Sequence, residues 1–183
     1  LERAERVLSH LLMLARVVAS ASAAGLGPVD VAALAKEVTA EMVPAAIGMD
    51  IDLGYEGQGP ALVSADPVLL AELLRNLLTN AIRYAGRGAH VTVQVQKMQH
   101  SIVLAVADNG PGLSQAQMHL AAQLGRGAPR PSPQLIRDQH NGMGLGLAVA
   151  VEIATLFKAE LRLEQPKTGS GLVASITFAE RTQ

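Results

Sequence analysis

The sequence predicts an α+β domain, helices layered on a mostly antiparallel sheet, and three observations carry that prediction. Apolar residues recur at helical spacing near residues 30–46, 66–85 and 145–157. β-branched residues alternate with their neighbours near 89–97, 101–107, 160–165 and 171–178. Apolar residues make up 49% of the 183-residue chain and aromatics only 2%, so Leu, Val, Ile and Ala must fill the single core that this length supports. There is no internal repeat.

Residues 1–20 set Leu1, Ala4, Leu8, Leu11, Ala15 and Val18 at alternating steps of three and four, which lines one apolar seam along a helix. Such a helix either pairs with a partner helix or lies on its own domain. Because the chain opens at Leu1 in mid-pattern, without a starting Met or signal peptide, a piece of something longer is expected. Residues 20–28, rich in Ala, Ser and Gly, read as a linker. Asp30 opens a second helix, with Val31, Leu34, Ala35, Val38 and Met42 on one side. Met49, Ile51 and Leu53, then residues 61–63, suggest two short strands joined by a glycine-rich turn over 54–60. Asp66 then Pro67 open a helix that runs to about Ala85, since Asp accepts orphan amide hydrogen bonds and proline has no first-turn donor to lose. Residues 89–97 and 101–107 form a hairpin, residues 110–142 are irregular, and a helix from about Leu145 to Phe157 precedes the last two strands.

Composition narrows the chemistry. Cysteine is absent, which removes disulfides, thiolate metal sites and a cysteine nucleophile. A net charge of −1, with no long run of like charge, provides no field for nucleic acid. No apolar run approaches the roughly 20 residues that span a bilayer, so direct membrane contact is not expected either.

The helix over 66–85 contains Leu73-Leu74-Arg75-Asn76-Leu77-Leu78-Thr79-Asn80-Ala81-Ile82-Arg83-Tyr84. Leu70, Leu74, Leu77, Leu78, Ala81 and Ala85 make its packed side, while Asn76, Asn80 and Arg83 or Tyr84 recur on another. Asparagine costs about half a kcal/mol in a helix interior relative to alanine, so two of them one turn apart invite a reason. An amide oxygen can take one position in a Mg²⁺ shell otherwise filled by water and phosphate. Arginine beside it can neutralise phosphate, and tyrosine offers a face for a base. The alternative is a solvated face with two tolerated asparagines.

Two glycine motifs lie downstream. Asp108-Asn109-Gly110-Pro111-Gly112 stands at a strand end, where an acid can point from rigid backbone and accept from the exocyclic amine of adenine. Gly142-Met143-Gly144-Leu145-Gly146-Leu147 precedes an apolar helix, whose N-terminal amides suit phosphate. Each alone also suits an ordinary turn or close packing. Their order, after the asparagine helix and within about 70 residues, is the specific signal.

With these residues the chain resembles the catalytic domain of sensor histidine kinases, in the superfamily shared by DNA gyrase, mismatch-repair ATPases and ninety-kilodalton heat-shock chaperones. Residues 73–84 resemble the N box, Asp108 to Gly112 the G1 box, Gly142 to Leu147 the G2 box, and Gly169-Ser170-Gly171 the final glycine turn. The resemblance implies a two-layer α/β sandwich of the Bergerat type, a mixed sheet on three helices, plus an N-terminal helix. It implies residues 1–22 as part of the second dimerisation helix and 28–183 as the ATP-binding domain, with a lid over about 112–142. ATP and Mg²⁺ are the implied ligands. Asn80 would hold the metal with Asn76 in support, Arg83 would meet phosphate, Tyr84 would flank adenine and Asp108 would read its amine. Gly110, Gly112, Arg126, Gly142, Gly144, Leu145 and Gly146 would complete the nucleotide site. The implied partners are a second copy joined through the dimerisation helices and a response regulator receiver domain. The implied setting is cytoplasmic, on a full-length protein anchored in the bacterial inner membrane.

Hydrolytic members of that superfamily carry a glutamate where this chain has Asn76, because a carboxylate must take the proton of attacking water. An amide cannot, which favours a kinase whose ATP waits for an imidazole nucleophile. Glu72, one turn earlier, is the only nearby stand-in. The lid departs from the family pattern: Leu120-Ala121-Ala122-Gln123-Leu124-Gly125 precedes Arg126 where a phenylalanine-containing box is usual. Arg130, Arg137 and His140 are further phosphate candidates in it. His10 lacks the acidic neighbour and the Arg-Thr-Pro of a phosphoacceptor motif, and reads as a bystander. A hydrolytic clamp of the same superfamily and a degenerate binding module remain the alternatives.

Overall fold

The structure, a computed structural model, describes residues 26–114, 144–166 and 169–179. The helix expected over 1–20 with His10, the part of the lid expected over 112–142 that follows Ser114, and Arg126, Arg130, Arg137, His140 and Gly142 lie outside those residues.

The elements run β1 (Gly27–Asp30), α1 (Val31–Gly48), β2 (Asp52–Gly57), β3 (Leu62–Ala65), α2 (Pro67–Tyr84), β4 (His90–Lys97), β5 (Ser101–Asp108), α3 (Gly144–Leu156), β6 (Glu160–Glu164) and β7 (Leu172–Ala179). Five strands form one sheet in the order β2-β4-β5-β7-β6, with β2 parallel to β4 and the other neighbours antiparallel. β1 and β3 make a separate antiparallel pair. Helix α1 packs on β2 and β4, α2 on β5, and α3 on β6 and α2. This is the α+β two-layer arrangement that the periodicities imply.

The local signals explain where the helices begin. Asp66 caps α2 by accepting from the amides of Val68 (2.8 Å) and Leu69 (3.0 Å), with Pro67 in the first turn. Asp30 caps α1 through Ala32 (3.0 Å) and Ala33 (3.4 Å), and also receives the amide of Ala61 (3.0 Å), which ties the cap to the chain entering β3. Along α2, Leu69, Leu70, Leu73, Leu74, Leu77, Leu78, Ala81 and Ile82 are buried. They meet the inward residues Val91, Val93, Ile102, Leu104, Ile176 and Phe178 of the sheet. Each leucine so buried contributes about 2 kcal/mol of transfer free energy, so this one helix anchors the domain.

Three expectations need correction. The segment expected as two strands joined by a turn over 54–60 is different: β2 runs through Gly54 to Gly57 and pairs with β4, while β3 pairs with β1. The cause is Tyr55, whose ring joins the core and whose hydroxyl donates to the carbonyl of Ala32 at 3.1 Å, holding the glycine-rich stretch extended. Residues 27–30, read as linker and helix entry, form β1 against β3. Helix α1 continues past Pro44 to Gly48 instead of stopping at 46.

Candidate functional site

Asn80 and Tyr84 stand four residues apart on α2, at the margin of its leucine face, and both border a cleft. The cleft holds about 610 Å³, counting the part open to solvent. Across from them lie Asp108 at the end of β5 and Gly112 in the loop that follows. The remaining walls are apolar, from Leu77, Leu113, Leu147, Leu163 and Leu172 among others. A largely apolar cleft with a few polar residues among its walls is the form of a small-molecule site.

Asp108 is half-buried, and its carboxylate accepts from the amide of Gly110 at 2.9 Å and from that of Leu172. Burial raises its pKa above the ordinary carboxylate range, and the two amides offset part of that rise. The loop carrying it lies against the end of α2. A Cβ on Gly110 would stand 2.5 Å from the Cα of Ala85 and 2.7 Å from its carbonyl oxygen, so only glycine permits this approach.

Two of the expected site residues on α2 lie beside the cleft and do not border it. Asn76 donates from Nδ2 to the carbonyl oxygen of Glu72 at 2.9 Å. Arg83 is exposed, its guanidinium 5.6 Å from the centroid of the Tyr84 ring. Glu72, the stand-in base, is held by Arg75 at 3.3 Å, and Arg75 also grips Glu41 of α1 through Nη2 (2.7 Å) and Nε (3.3 Å). Gly144, Leu145 and Gly146 form the first turn of α3 and not a loop before it. The first amides of a helix have no partner within it and are available to an anion.

Sequence reasoning missed the apolar walls, because Leu113, Leu147, Leu163, Leu172 and Ala174 look like any core residues in a linear pattern. It also assigned nothing to Asn109, although the Asp-Asn-Gly string singled that residue out. Among the described residues, no group of three or more His, Asp or Glu side chains could hold a metal ion. No helix among them is long and apolar enough to cross a membrane.

Comparison with known proteins gives consistent findings. Residues 65–182 match the family described as histidine kinase-, DNA gyrase B-, and HSP90-like ATPase. Over its whole length the chain is 30% identical to the sensor protein kinase PmrB of Pseudomonas aeruginosa, of which it covers 36%. The chain thus spans little more than a third of that relative. Among solved structures, the catalytic domain of histidine kinase ThkA superposes with a TM-score of 0.68 at 19% identity, covering 86% of this chain and 99% of that one. Full-length ShkA in complex with AMPPNP gives 0.74 at 23% identity, covering 100% of this chain and 38% of that one. ThkA in complex with the response regulator TrrA gives 0.67 at 18%, covering 97% and 49%. At such identities these structures show a shared fold.

Proposed function

Since this chain belongs to the family of histidine kinase-, DNA gyrase B- and HSP90-like ATPases, we propose that it binds Mg-ATP and serves as the catalytic region of a sensor histidine kinase. In the longer protein the γ-phosphate passes to a histidine on the dimerisation helices and from there to an aspartate of a response regulator.

The observation that carries this reading is one cleft bordered by both Asn80 and Asp108. Asp108 accepts from the adenine amine, a donor that guanine lacks at that position, and Tyr84 flanks the ring. The apolar walls exclude water from the base. Asn80 offers a neutral oxygen, which suits Mg²⁺ when phosphates and water complete the shell. The lack of a carboxylate cluster among the described residues fits a metal that arrives with its nucleotide. Once bound, the ion supplies charge neutralisation at the phosphates. Asn76, its Nδ2 already given to Glu72, keeps its oxygen for support of that shell. Arg83, the glycines at 110, 112, 142, 144 and 146, the Leu145 amide and Arg126 bind phosphate or let the chain close around it.

ATP then stays intact until an imidazole nitrogen attacks the γ-phosphorus in line and ADP leaves. Among the described residues the carboxylate one turn from Asn76 is that of Glu72, and Arg75 holds it at 3.3 Å. That pairing disfavours the hydrolytic clamp. The lid over 112–142, the dimerisation segment over 1–22, homodimerisation and a membrane anchor elsewhere in the protein belong to this same proposal.

The test is incubation with γ-labelled ATP, alone and with a separately supplied dimerisation domain that carries the acceptor histidine. Label on that histidine, without steady phosphate release, supports the kinase. Steady release abolished by Glu72→Gln would replace it with the clamp.

A further inference from the structure

Asn109 is exposed and does not border the cleft, yet three hydrogen bonds tie it to His90 on one flank and Ser170 on the other. Its Oδ1 accepts from the amide of His90 at 2.8 Å, and its own amide donates to the carbonyl of His90 at 3.3 Å. Paired strand residues end with Val91 opposite Asp108, so this side chain acts as one more rung of the β4–β5 ladder. On the far flank the Ser170 hydroxyl donates to the Asn109 carbonyl at 3.4 Å. Ser170 belongs to the turn in which Gly171, at φ +127°, lies so close that a Cβ would stand 3.0 Å from the Cα of Asn109 and overlap the Asp108 carbonyl.

We propose that Asn109, with Ser170 in a lesser part, is a positioning residue that sets the direction of the Asp108 carboxylate and thereby the preference for adenine over guanine. The inference rests on the reading of Asp108 as the adenine acceptor. Its physics is simple. The carboxylate is aimed by two amides, those of Gly110 and Leu172, and the first faces it only while the peptide between Asp108 and Gly110 keeps its orientation. Asn109 is the middle residue of that stretch. Without its side-chain oxygen the His90 amide must turn to water, and the turn loses the shortest of the three hydrogen bonds that hold it in place. The strand would still form, because its seven other pairs are untouched.

The experiment is calorimetric titration of the wild type, Asn109→Ala, Asn109→Asp and Ser170→Ala with AMP-PNP and with GMP-PNP, each with Mg²⁺. Thermal unfolding of the free proteins runs alongside. The ratio of the two affinities is the readout, since a change in overall charge or stability acts on both nucleotides alike. Asn109→Ala should lose about tenfold of the adenine preference, the worth of one hydrogen bond, and Ser170→Ala two- to threefold, about half as much on a logarithmic scale. Asn109→Asp keeps an oxygen for the His90 amide and should retain the wild-type ratio even where both affinities fall. An unchanged ratio in Asn109→Ala, or equal loss in the Ala and Asp variants, overturns the positioning role alone. A wild type without adenine preference overturns the reading of Asp108 beneath it.

Discussion

The side chain of Asn76 donates to the carbonyl oxygen of Glu72, 2.9 Å away and one turn back on the same helix. That bond uses one of the two N–H groups and leaves the oxygen as the acceptor on offer. Asn76→Asp would set a second acceptor against the Glu72 carbonyl and should destabilise the free domain by about 1–2 kcal/mol. Asn76→Ala loses a bond of about 1 kcal/mol and gains about half that in helix propensity, so its free stability should stay near wild type. Its affinity for Mg-ATP should nevertheless fall. Denaturant melts without ligand, beside nucleotide titrations, separate the two effects.

Arg75 joins α1 to α2 through Glu41 and also holds Glu72. These partners are partly exposed, so Arg75→Ala should cost only about 1 kcal/mol, and less in high salt. Adenine nucleotide affinity should not change, because Arg75 does not border the cleft. A large loss of affinity would mean that α2 depends on α1 for its alignment.

The two aspartate caps should differ. Asp66 serves two amides, whereas Asp30 serves two of its own helix and a third from Ala61. Asp66→Ala should cost about 1 kcal/mol and Asp30→Ala about 2. Urea midpoints at constant slope measure both.

Both caps were legible in the sequence, since a cap is a local signal of a few residues. The hairpin of β4 and β5 was legible for the same reason. The partners of β2 were not. Gly54 and Gly57 imitate a turn, and what holds them extended is a parallel pairing of Asp52 with His90 and a Tyr55 hydroxyl bound to Ala32, both long-range. β1 is four residues long and contains Gly27 and Pro28, so nothing local marks it as a strand. In the site, Asn80, Tyr84, Asp108 and Gly112 were legible because polar groups and glycines stand out in a leucine-rich chain. Leu163 and Leu172 were not, because an apolar wall and an apolar core obey the same pattern.

Burial holds the Asp108 carboxyl above the ordinary value near 3.8. The folded chain therefore binds that proton more tightly than the unfolded one. This group's contribution to stability is fully present below its unfolded pKa and is lost as pH rises through the folded pKa. On the proposed reading adenosine needs the ionised acceptor, so its affinity should fall on acidification, with a midpoint above that of an exposed carboxylate. Adenosine is the probe because phosphate itself titrates near pH 6. Affinity that stays flat down to pH 4 would mean that the carboxylate does not meet the base.

The most direct measurement is a titration of the chain with AMP-PNP, with and without Mg²⁺, for the wild type, Asn80→Ala and Asp108→Ala. The wild type should bind more tightly with the metal. Asn80→Ala should lose that difference while keeping metal-free binding, and Asp108→Ala should bind adenine and guanine nucleotides alike. Identical isotherms for all three proteins would contradict the account.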